Sequence, residues 1–584
     1  MPHHLPQLQV HAQRHSRTLA LQPGDELLKL TQLLAREGFP LNNRCAGQGL
    51  CDGCLIELRS GQLQHIASGK IVQATEHPIK LRACEHRLPD ESFAVGGLRL
   101  AVQSDAASTA NRKPQTANPV IHLPARSLLA HSPQVVSNFK IRIPWGHQPL
   151  GHSHKDIAQP LGCAVDIGTT TVALLLVDLT NDRVLAKFSM FNQQTRFGDD
   201  VLTRITLCGS DPDMLATLQR AITHHTLRPL VEQALAKAQA DASQLVCYTV
   251  AGNTTMLHLF AGVDPTPMGV VPFTPAFLDH RVLHAADLDL PGHPEAQVHL
   301  LPGASAYVGA DLVAGCLATG QAYQPGPILL VDVGTNGEII LKHGDKLTGC
   351  ATAAGPAFEG AKLSSGMRAA DGAIEHIRFA DSSVQCDVIA GGEPTGVCGS
   401  AYVDMLANGR AAGLLNEAGR FNGSLPHLPR DTQHGKALML HEPDKTSGGG
   451  GDTSGGDTFG GQTVTISESD IASLLQAKAA IAAGMLTLTE RMGLAPSDIQ
   501  KLYLAGGFGL HIDIASAIRC GLLPGFTVDQ VEAVGNTSLA GAFVALLDKG
   551  ILDEMKHIAK RIEIIELNHD PEFEMRYIDQ LSLV

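Results

Sequence analysis

One short pattern occurs twice in this 584-residue sequence: an apolar strand that runs into Asp-x-Gly-Thr. Residues 165–171 are Val-Asp-Ile-Gly-Thr-Thr-Thr, and residues 329–338 are Leu-Leu-Val-Asp-Val-Gly-Thr-Asn-Gly-Glu. In each copy the apolar run predicts a buried strand, and the Gly, Thr and Asn residues predict a tight hairpin turn after it. Two copies about 165 residues apart indicate a duplicated domain rather than a solenoid.

The composition of both hairpins suits phosphate binding. Glycine at 334 and 337 allows positive φ and close approach of the backbone, so that amide N–H groups can face phosphate oxygens. Asp332, at the strand end, is placed to hold a hydrated Mg²⁺ beside those oxygens. A single copy would be equally compatible with an ordinary hairpin turn that binds nothing. Two facing hairpins, by contrast, can clamp the β- and γ-phosphates of one nucleotide. The predicted nucleotide-binding residues are Gly168, Thr169, Thr170, Gly334, Thr335, Asn336 and Gly337, and the predicted catalytic residues are Asp166, Asp332 and Glu338.

A third glycine-rich element follows another short apolar strand, at 502–509, and contains Gly506 and Gly507. Its bare backbone would pass under a nucleoside. The order Asp, Asp, Gly-Gly resembles the two phosphate motifs and the adenosine motif of the superfamily that joins acetate kinase, sugar kinases, heat-shock ATPases and actin (ASKHA). This resemblance implies an α/β body of two RNase H-like (actin-like) halves over residues 161–584 that binds ATP with Mg²⁺.

Composition and charge argue against several classes of function. The formal net charge is −14, with 44 basic and 58 acidic residues and no basic block, so a nucleic-acid partner is not expected. The N-terminus lacks the basic and apolar regions of a signal peptide, and no long uncharged apolar run predicts a membrane span. We therefore expect a cytoplasmic protein without a membrane partner. At this length three or more domains are expected.

Four of the twelve cysteines form a distinct pattern, Cys45, Cys51, Cys54 and Cys84, spaced C-x5-C-x2-C-x29-C. Zinc would also accept four thiolates, but its sites usually pair two short Cys-x-x-Cys knuckles. Three ligands on one glycine-rich loop and a distant fourth instead resemble the plant- and adrenodoxin-type [2Fe–2S] ferredoxins, with a first gap one residue longer than in the plant type. The resemblance implies an α+β (β-grasp) ferredoxin domain at 1–98 with these cysteines as cluster ligands.

Between these domains, residues 99–160 are predicted to be a linker, rich in Ala, Ser, Thr, Asn and Pro, followed by a reduced middle region. A Gly/Ser/Thr/Asp-rich stretch at about 445–461 predicts a disordered insert within the ATPase body.

A ferredoxin fused ahead of such an ATPase, together with Ala-Gly-Asn-Thr-Thr-Met at 251–256 and Ala-Gly-Pro-Ala-Phe-Glu-Gly at 354–360, resembles the reductive activators of corrinoid-dependent methyltransferase systems. The resemblance implies that ATP drives one electron onto a protein-bound corrinoid, from Co(II) to Co(I). The implied partners are the corrinoid protein and an upstream electron donor, and a homodimer is left open. Three alternatives share parts of this pattern: an ATP-driven activator of another low-potential enzyme, such as a dehydratase or ring reductase; a small-molecule kinase; and a redox-sensing interaction protein.

Overall fold

The computed structural model describes residues 7–12, 15–22, 25–37, 39, 41, 54–74, 77–89, 120–123, 134–137, 139–143, 145–146, 148–151, 157–380, 383–422, 429–432, 435–442, 463–507 and 512–584. The chain divides into two compact units. The N-terminal unit comprises 1–134 with two short later segments, 142–147 and 323–325, and the larger unit comprises 135–141, 148–322 and 326–584. The predicted insert at about 445–461 lies outside the described residues.

The described residues of the N-terminal unit form a five-stranded mixed sheet, a small three-stranded sheet and one α-helix. Its strands are β1 (Gln7–Ala12), β2 (His15–Ala20), β3 (Leu55–Ser60), β4 (Gln62–His65), β5 (Ile71–Gln73), β6 (Ile79–Arg82), β7 (His86–Arg87) and β8 (Val120–Leu123). The large sheet has the order β2-β1-β8-β3-β6, and a small sheet has the order β5-β4-β7. Helix α1 (Leu30–Arg36) buries Leu30, Leu33 and Leu34 in the same core as Val10 and Ile56. This is an α+β arrangement.

The N-terminal unit extends past the predicted boundary at residue 98. Val120–Leu123, which fall in the stretch predicted as a linker, form a central strand that runs parallel to β1 and antiparallel to β3. A four-residue strand carries almost no periodicity, so the surrounding Ala, Ser, Thr, Asn and Pro residues hide it in the sequence. Because both of its neighbours belong to this sheet, the boundary lies beyond Leu123.

The larger unit is built on two sheets of related topology. Its strands are β9 (Gln134–Val136), β10 (Phe139–Ile141), β11 (Leu161–Ile167), β12 (Thr171–Asp178), β13 (Arg183–Phe191), β14 (Leu245–Gly252), β15 (Arg281–His284), β16 (Gln297–Leu300), β17 (Ile328–Val333), β18 (Gly337–His343), β19 (Lys346–Thr352), β20 (Ala373–Ala380), β21 (Ser383–Val388), β22 (Gly396–Val397), β23 (Pro429–Thr432), β24 (Gly435–His441), β25 (Val464–Ser467), β26 (Lys501–Ala505), β27 (Val531–Gly535) and β28 (Ile562–Ile564). The first sheet has the order β13-β12-β11-β14-β16-β15, and the second β28-β19-β18-β17-β26-β27-β10-β9. Two further three-stranded sheets have the orders β21-β20-β22 and β23-β24-β25.

The predicted duplication is confirmed by these two orders. Strands β13-β12-β11-β14-β16 and β19-β18-β17-β26-β27 follow the same path, antiparallel through the first three strands and parallel through the last three. Each central strand, β11 or β17, carries one copy of the Asp-x-Gly-Thr pattern at its C-terminal end. We refer to residues 161–322 as the first half and to residues 326–584 as the second half.

The helices of the larger unit are α2 (Val201–Ser210), α3 (Met214–Ile222), α4 (Arg228–Ala238), α5 (Thr254–Ala261), α6 (Ala310–Ala318), α7 (Gly399–Ala411), α8 (Glu468–Arg491), α9 (Ile514–Arg519), α10 (Thr537–Leu547), α11 (Ile551–Arg561) and α12 (Phe573–Asp579). Helices α6 and α10 join the two halves. A β-carbon on Gly541 would overlap Ala314, and one on Gly315 would lie 2.8 Å from the hydroxyl oxygen of Thr537. Only glycine allows the two backbones to approach this closely.

Parts of the stretch between the two predicted domains support the second half. Strand β10 extends its sheet at the β27 edge, with Phe139 opposite Gly535. The backbone N–H groups of Gln148 and Leu150 donate to the last carbonyls of α10, at Leu547 and Leu546. These bonds satisfy groups that a helix end leaves without an intrahelical partner.

Helix α8 is, among the described residues, the only one long and apolar enough to cross a membrane, but 78% of its most apolar window is buried inside the protein. It begins with a capping box: Ser467 accepts from the backbone N–H of Asp470, and the Asp470 carboxylate accepts from the backbone N–H of Ser467. Its burial is that of a core helix.

Candidate functional site

The two Asp-x-Gly-Thr hairpins meet in the larger unit. The hydroxyl groups of Thr170 and Thr335 form a hydrogen bond of 2.7 Å, although 165 residues separate them. The turn of the first hairpin is closed by the N–H of Gly168, which donates to the carbonyl of Thr171 at 2.9 Å. In the second, the N–H of Gly334 donates to the carbonyl of Asn336 at 3.0 Å. The predicted residues of both turns are therefore brought to one place.

Five carboxylates surround this meeting point. Asp332 and Glu338 are directly opposite each other in the β17–β18 pair, and Asp166 is the penultimate residue of the equivalent strand, β11, in the first half. Asp311, in the first turn of α6, and Glu359 complete the group, and neither was predicted from the sequence. The Glu359 carboxylate accepts from the hydroxyl of Thr335 at 3.1 Å.

Burial and mutual repulsion raise the pKa of these carboxylates. Burial raises the pKa of Asp332 to about 8, and the charges of Asp311, Asp166 and Glu359 act in the same direction. Burial, together with the Asp166 charge, raises the pKa of Asp311 to about 7. Burial likewise raises the pKa of Glu338 well above its ordinary value, with Asp311 and Asp332 adding to the effect. No three of the described carboxylates are arranged to hold a metal ion by themselves, so a divalent cation here would need one or two of them together with water or phosphate oxygens. Such a cation would favour the ionised forms that burial disfavours.

Asp166 differs from the others because the second half holds it. Asn536 and Ser538, at the start of α10, donate side-chain hydrogen bonds to its two carboxylate oxygens, each at 2.7 Å. Burial raises the pKa of Asp166, and these two bonds oppose that rise. Asn536 also caps α10 by accepting from the N–H of Leu539. The orientation of Asp166 is thus fixed across the cleft between the halves.

Behind the first hairpin lies a fully buried guanidinium. Arg204 donates to the carbonyl of Thr169 at 2.6 Å, to the carbonyl of Gly198 at 2.9 Å and to the amide oxygen of Gln194 at 2.8 Å. Since the C=O and N–H of one peptide unit point in opposite directions, a Thr169 carbonyl turned toward Arg204 turns the Thr170 N–H away from it. The amide nitrogen of Asn253 donates to the Thr169 hydroxyl at 3.0 Å, and its amide oxygen caps α5. Asn253 therefore both begins a helix and supports the first hairpin.

Glycine is needed at the motif positions for different structural reasons. The expectation of positive φ at 334 and 337 is wrong, because neither glycine has it. Gly337 is required by packing instead: a β-carbon there would lie 2.6 Å from the Thr352 hydroxyl oxygen and 2.7 Å from Cγ1 of Ile481. Gly506 has φ +117°, and its β-carbon would overlap the carbonyl oxygen of Val333, whereas Gly507 borders open space.

A groove of about 900 Å³ opens beside the start of α9, which follows the Gly506-Gly507 element in the chain. Ile512, Asp513 and Arg519 form one wall. His376 and Asp404, joined by a hydrogen bond of 2.8 Å, contribute from β20 and α7. The groove is therefore polar, with both acidic and basic side chains, and it lies in the second half.

Two of the four predicted cluster cysteines lie next to neighbouring strands of the N-terminal unit, Cys54 just before β3 and Cys84 in the 3-10 turn after β6. The backbone carbonyl of Cys54, just before β3, accepts from the N–H of Ala83, the residue before Cys84, and both cysteines are buried. Cys45 and Cys51 lie outside the described residues. Among the residues that the structure describes, no group of three or more His, Cys, Asp or Glu side chains is arranged to hold a metal ion. The fourfold thiolate site at these cysteines thus stays a prediction.

Duplicated halves, with an acidic cleft between paired hairpins, define the ASKHA class of proteins. Two family models match the chain: the C-terminal ASKHA domain of RACo over residues 326–584 and the RACo middle region over residues 161–323. The family's middle region therefore coincides with the first half, not with the stretch at 99–160 where the sequence analysis placed a reduced middle region.

Comparisons with whole proteins cover nearly the entire chain. The corrinoid activation enzyme RamQ of Eubacterium limosum is 30% identical over 94% of this chain and 95% of its own length. The [Co(II) methylated amine-specific corrinoid protein] reductase of Methanosarcina barkeri is 26% identical over 69% of this chain and 72% of its own. The solved structure of a reductive activator for corrinoid, iron-sulfur protein matches with a TM-score of 0.69 and 27% identity, covering 99% and 98% of the two chains. The chain belongs to this family of corrinoid-protein activators.

Proposed function

We propose that this protein uses Mg·ATP, bound between its two halves, to drive one electron from a [2Fe–2S] cluster in its N-terminal unit onto a protein-bound Co(II) corrinoid, which restores Co(I). The observation that carries the proposal is the Thr170–Thr335 contact, which joins the two phosphate-type hairpins beside the carboxylates in a member of this family. The corrinoid protein as target is supported by the names of the relatives. An upstream donor would have to re-reduce the cluster after each turnover, and a homodimer is left open.

The residues of the cleft fit a nucleotide with its cation. The N–H groups of Thr169 and Thr170 donate to no other atom of the described chain, and Arg204 orients the second of them, so both are available to phosphate oxygens. Mg²⁺ is usually held by one or two carboxylates, water and phosphate oxygens, and Asp332 with Glu338 supplies such a pair. Asp166, fixed by Asn536 and Ser538, would orient the attacking water from the first half. We assign the nucleoside to the groove beside α9.

The N-terminal unit would carry the electron. We assign Cys45, Cys51, Cys54 and Cys84 as ligands of a [2Fe–2S] cluster, which supplies and accepts one electron at a time when bound. The assignment is supported by the hydrogen bond from the N–H of Ala83 to the carbonyl of Cys54, which brings the two segments together, and by the burial of Cys54 and Cys84. Glycines at 47, 49 and 53 would let amide groups approach the cluster sulfurs.

Energetics explain why such a chain would carry an ATPase. Each 59 mV of an uphill one-electron transfer corresponds to about 1.4 kcal/mol, so a gap of about 200–300 mV amounts to roughly 5–7 kcal/mol. A free energy of this size inverts the populations of a two-state system. A nucleotide that binds one arrangement of the two halves more tightly than another can supply it.

The proposal is tested by anaerobic mixing of the full-length, iron-reconstituted protein with a Co(II) corrinoid protein and a chemical reductant. Formation of Co(I) is followed by absorbance, with and without Mg·ATP. Wild-type protein is expected to form Co(I) only with ATP and to hydrolyse ATP faster when the corrinoid protein is present. Asp332→Asn should retain iron but lose ATP-dependent Co(I) formation. Cys84→Ser should retain ATP binding but lose the visible bands of the cluster and the electron transfer.

One control variant and two expected outcomes distinguish this function from the alternatives. Glu295→Gln alters an exposed carboxylate away from the cleft and should behave as wild type. A kinase would phosphorylate a small acceptor equally well in Cys84→Ser, and an activator of another enzyme would leave the corrinoid as Co(II). Stoichiometric zinc and no iron in anaerobically purified protein would disprove the cluster assignment while leaving the ATP site intact.

A further inference from the structure

An arginine of the second half rests on an aromatic ring of the first half. The guanidinium carbon of Arg368 lies 3.6 Å from the ring centroid of Phe191, at the end of β13. The segment before Arg368 is fixed in place: the Met367 N–H donates to the carbonyl of Val397, and the Val397 N–H donates to the carbonyl of Ser365. A second contact from this segment, Lys362 to Asp199 at 3.2 Å, also joins the two halves.

Both hairpins adjoin Arg368. Phe191 is directly opposite Thr171, the residue that follows the turn of the first hairpin. Glu359, whose charge acts on the Arg368 guanidinium, accepts from the hydroxyl of Thr335 in the second hairpin. Thr335 in turn contacts Thr170. Arg368 is therefore placed at the junction of the two turns, with one neighbour from each half.

Two of the three guanidinium nitrogens of the half-buried Arg368 are buried and bind no protein acceptor. Its Nε and Nη2 atoms are inaccessible and have no partner in the described chain, and the same is true of Oε2 of Glu359. Burial lowers the pKa of Arg368, and Glu359 opposes that effect. Arg204, the other arginine at this site, contrasts with it because three of its N–H donors already bind protein oxygens. An Arg with unused donors in a buried site is expected to serve a ligand, since leaving them unused costs stability.

A phosphate group is the ligand that suits these donors. A guanidinium presents its N–H groups as a planar fork that matches two phosphate oxygens, and it remains charged when buried. The cleft carboxylates bind Mg²⁺ but repel the phosphates, so the nucleotide needs a cationic contact that comes from elsewhere. The contact with Phe191 supports the face of the guanidinium, while the Nε and Nη2 donors at its edge bind no protein acceptor.

We propose that Arg368, held on Phe191 across the cleft, binds the terminal phosphate of ATP and so distinguishes ATP from ADP. The proposal rests on the proposed nucleotide site and names a residue within it. Because Arg368 comes from the second half and its aromatic support from the first, the contact forms only when the halves are together. Release of the terminal phosphate removes one of the bonds that keep them so.

The test is calorimetric titration of the full-length protein with Mg·ADP and with the Mg complex of an ATP analogue whose β–γ bridge is an imido group. Arg368→Met should weaken binding of the analogue by roughly 10–100-fold, the loss expected for charged hydrogen bonds to phosphate, and of ADP by less than threefold. Arg368→Lys should fall between wild type and Arg368→Met, because it keeps the charge without the fork. Phe191→Leu should weaken analogue binding by a smaller factor and leave ADP binding nearly unchanged.

Lys362→Met is the matched control, since it removes the other contact between this segment and the first half. It should change the ratio of analogue to ADP affinity by less than twofold. Equal losses for both nucleotides in Arg368→Met, or no loss for either, would overturn the assignment of Arg368. Failure of the wild-type protein to bind either nucleotide would instead refute the ATP site itself, and that result precedes any variant.

Discussion

The raised pKa of Asp332 predicts an unusual dependence of stability on pH. A carboxyl whose pKa is raised in the folded state, here from 3.8 to about 8, binds a proton that the unfolded chain has released at neutral pH. Ionising Asp332 in the folded state costs folding free energy. This cost is absent below the pKa of the unfolded chain, grows as pH rises, and is complete above the pKa of the folded protein. Without Mg²⁺ or nucleotide, the larger unit should therefore lose stability as pH rises from about 4 to about 8.

The size of the effect follows from the linkage relation. One proton and one pH unit correspond to about 1.4 kcal/mol, so Asp332 alone should cost about 2 kcal/mol between pH 6 and pH 8, and on the order of 5 kcal/mol in total at pH 8. For a folded body of roughly 400 residues, 1 kcal/mol shifts Tm by about 1 °C. Asp332→Asn, which cannot ionise, should therefore melt about 5 °C above wild type at pH 8 and show a Tm that falls about 2 °C less from pH 6 to pH 8.

The measurement is thermal unfolding by circular dichroism at several pH values, in EDTA and then in Mg·ADP. Mg²⁺ should raise the melting temperature of wild type more at pH 8 than at pH 6, because the cation favours the ionised carboxylates, and this gain should shrink in Asp332→Asn. Glu295→Gln, at an exposed site, should follow wild type. If Asp332→Asn keeps the wild-type slope, or is destabilised throughout, Asp332 is not a protonated buried acid and the raised pKa assigned to it is wrong.

Two further substitutions test single features of the cleft. Gly506→Ala should destabilise the larger unit by more than about 2 kcal/mol, because φ at this position is +117° and the new methyl group would overlap the Val333 carbonyl oxygen. Gly507→Ala is the matched control, since a β-carbon at Gly507 has no other atom within 4 Å. Equal melting temperatures for the two variants would contradict this account. Arg204→Met should lower the free energy of unfolding by about 3–5 kcal/mol and weaken Mg·nucleotide binding, because three acceptors, including the Thr169 carbonyl, lose their donor. Unchanged nucleotide affinity in a stably folded Arg204→Met variant would show that Arg204 does not orient the hairpin.

Local patterns in the sequence were enough to predict the duplicated body. Each Asp-x-Gly-Thr turn follows an apolar run, and both runs are the central strands of their sheets. The capping box of Ser467 and Asp470 is local in the same way, because its two residues are three positions apart. Features of this kind are encoded within a few residues, so the sequence alone can show them.

Contacts made between distant residues were not predictable. Asn536 and Ser538 bind Asp166 across about 370 residues, and neither residue type signals such a role. Glu359 and Asp311 lie in loop and helix segments where a carboxylate is ordinary, and only folding brings them to the hairpins. The boundary at residue 98 failed for a related reason, because the pairing that defines β8 depends on strands far earlier in the chain.

Strand β8 has a consequence for how the N-terminal unit folds. It lies between β1 and β3, yet it is the last of the five strands of its sheet to leave the ribosome. Until residues 120–123 are synthesised, β1 and β3 each have an unpaired edge, and such edges invite pairing with other chains. A fragment that stops at residue 98 retains both edges, so it would be prone to aggregate for reasons unrelated to its cysteines. The sheet is complete only when β8, more than 100 positions after β1, inserts beside β1. Because closing so long a loop costs entropy before the contacts form, we expect this unit to fold slowly.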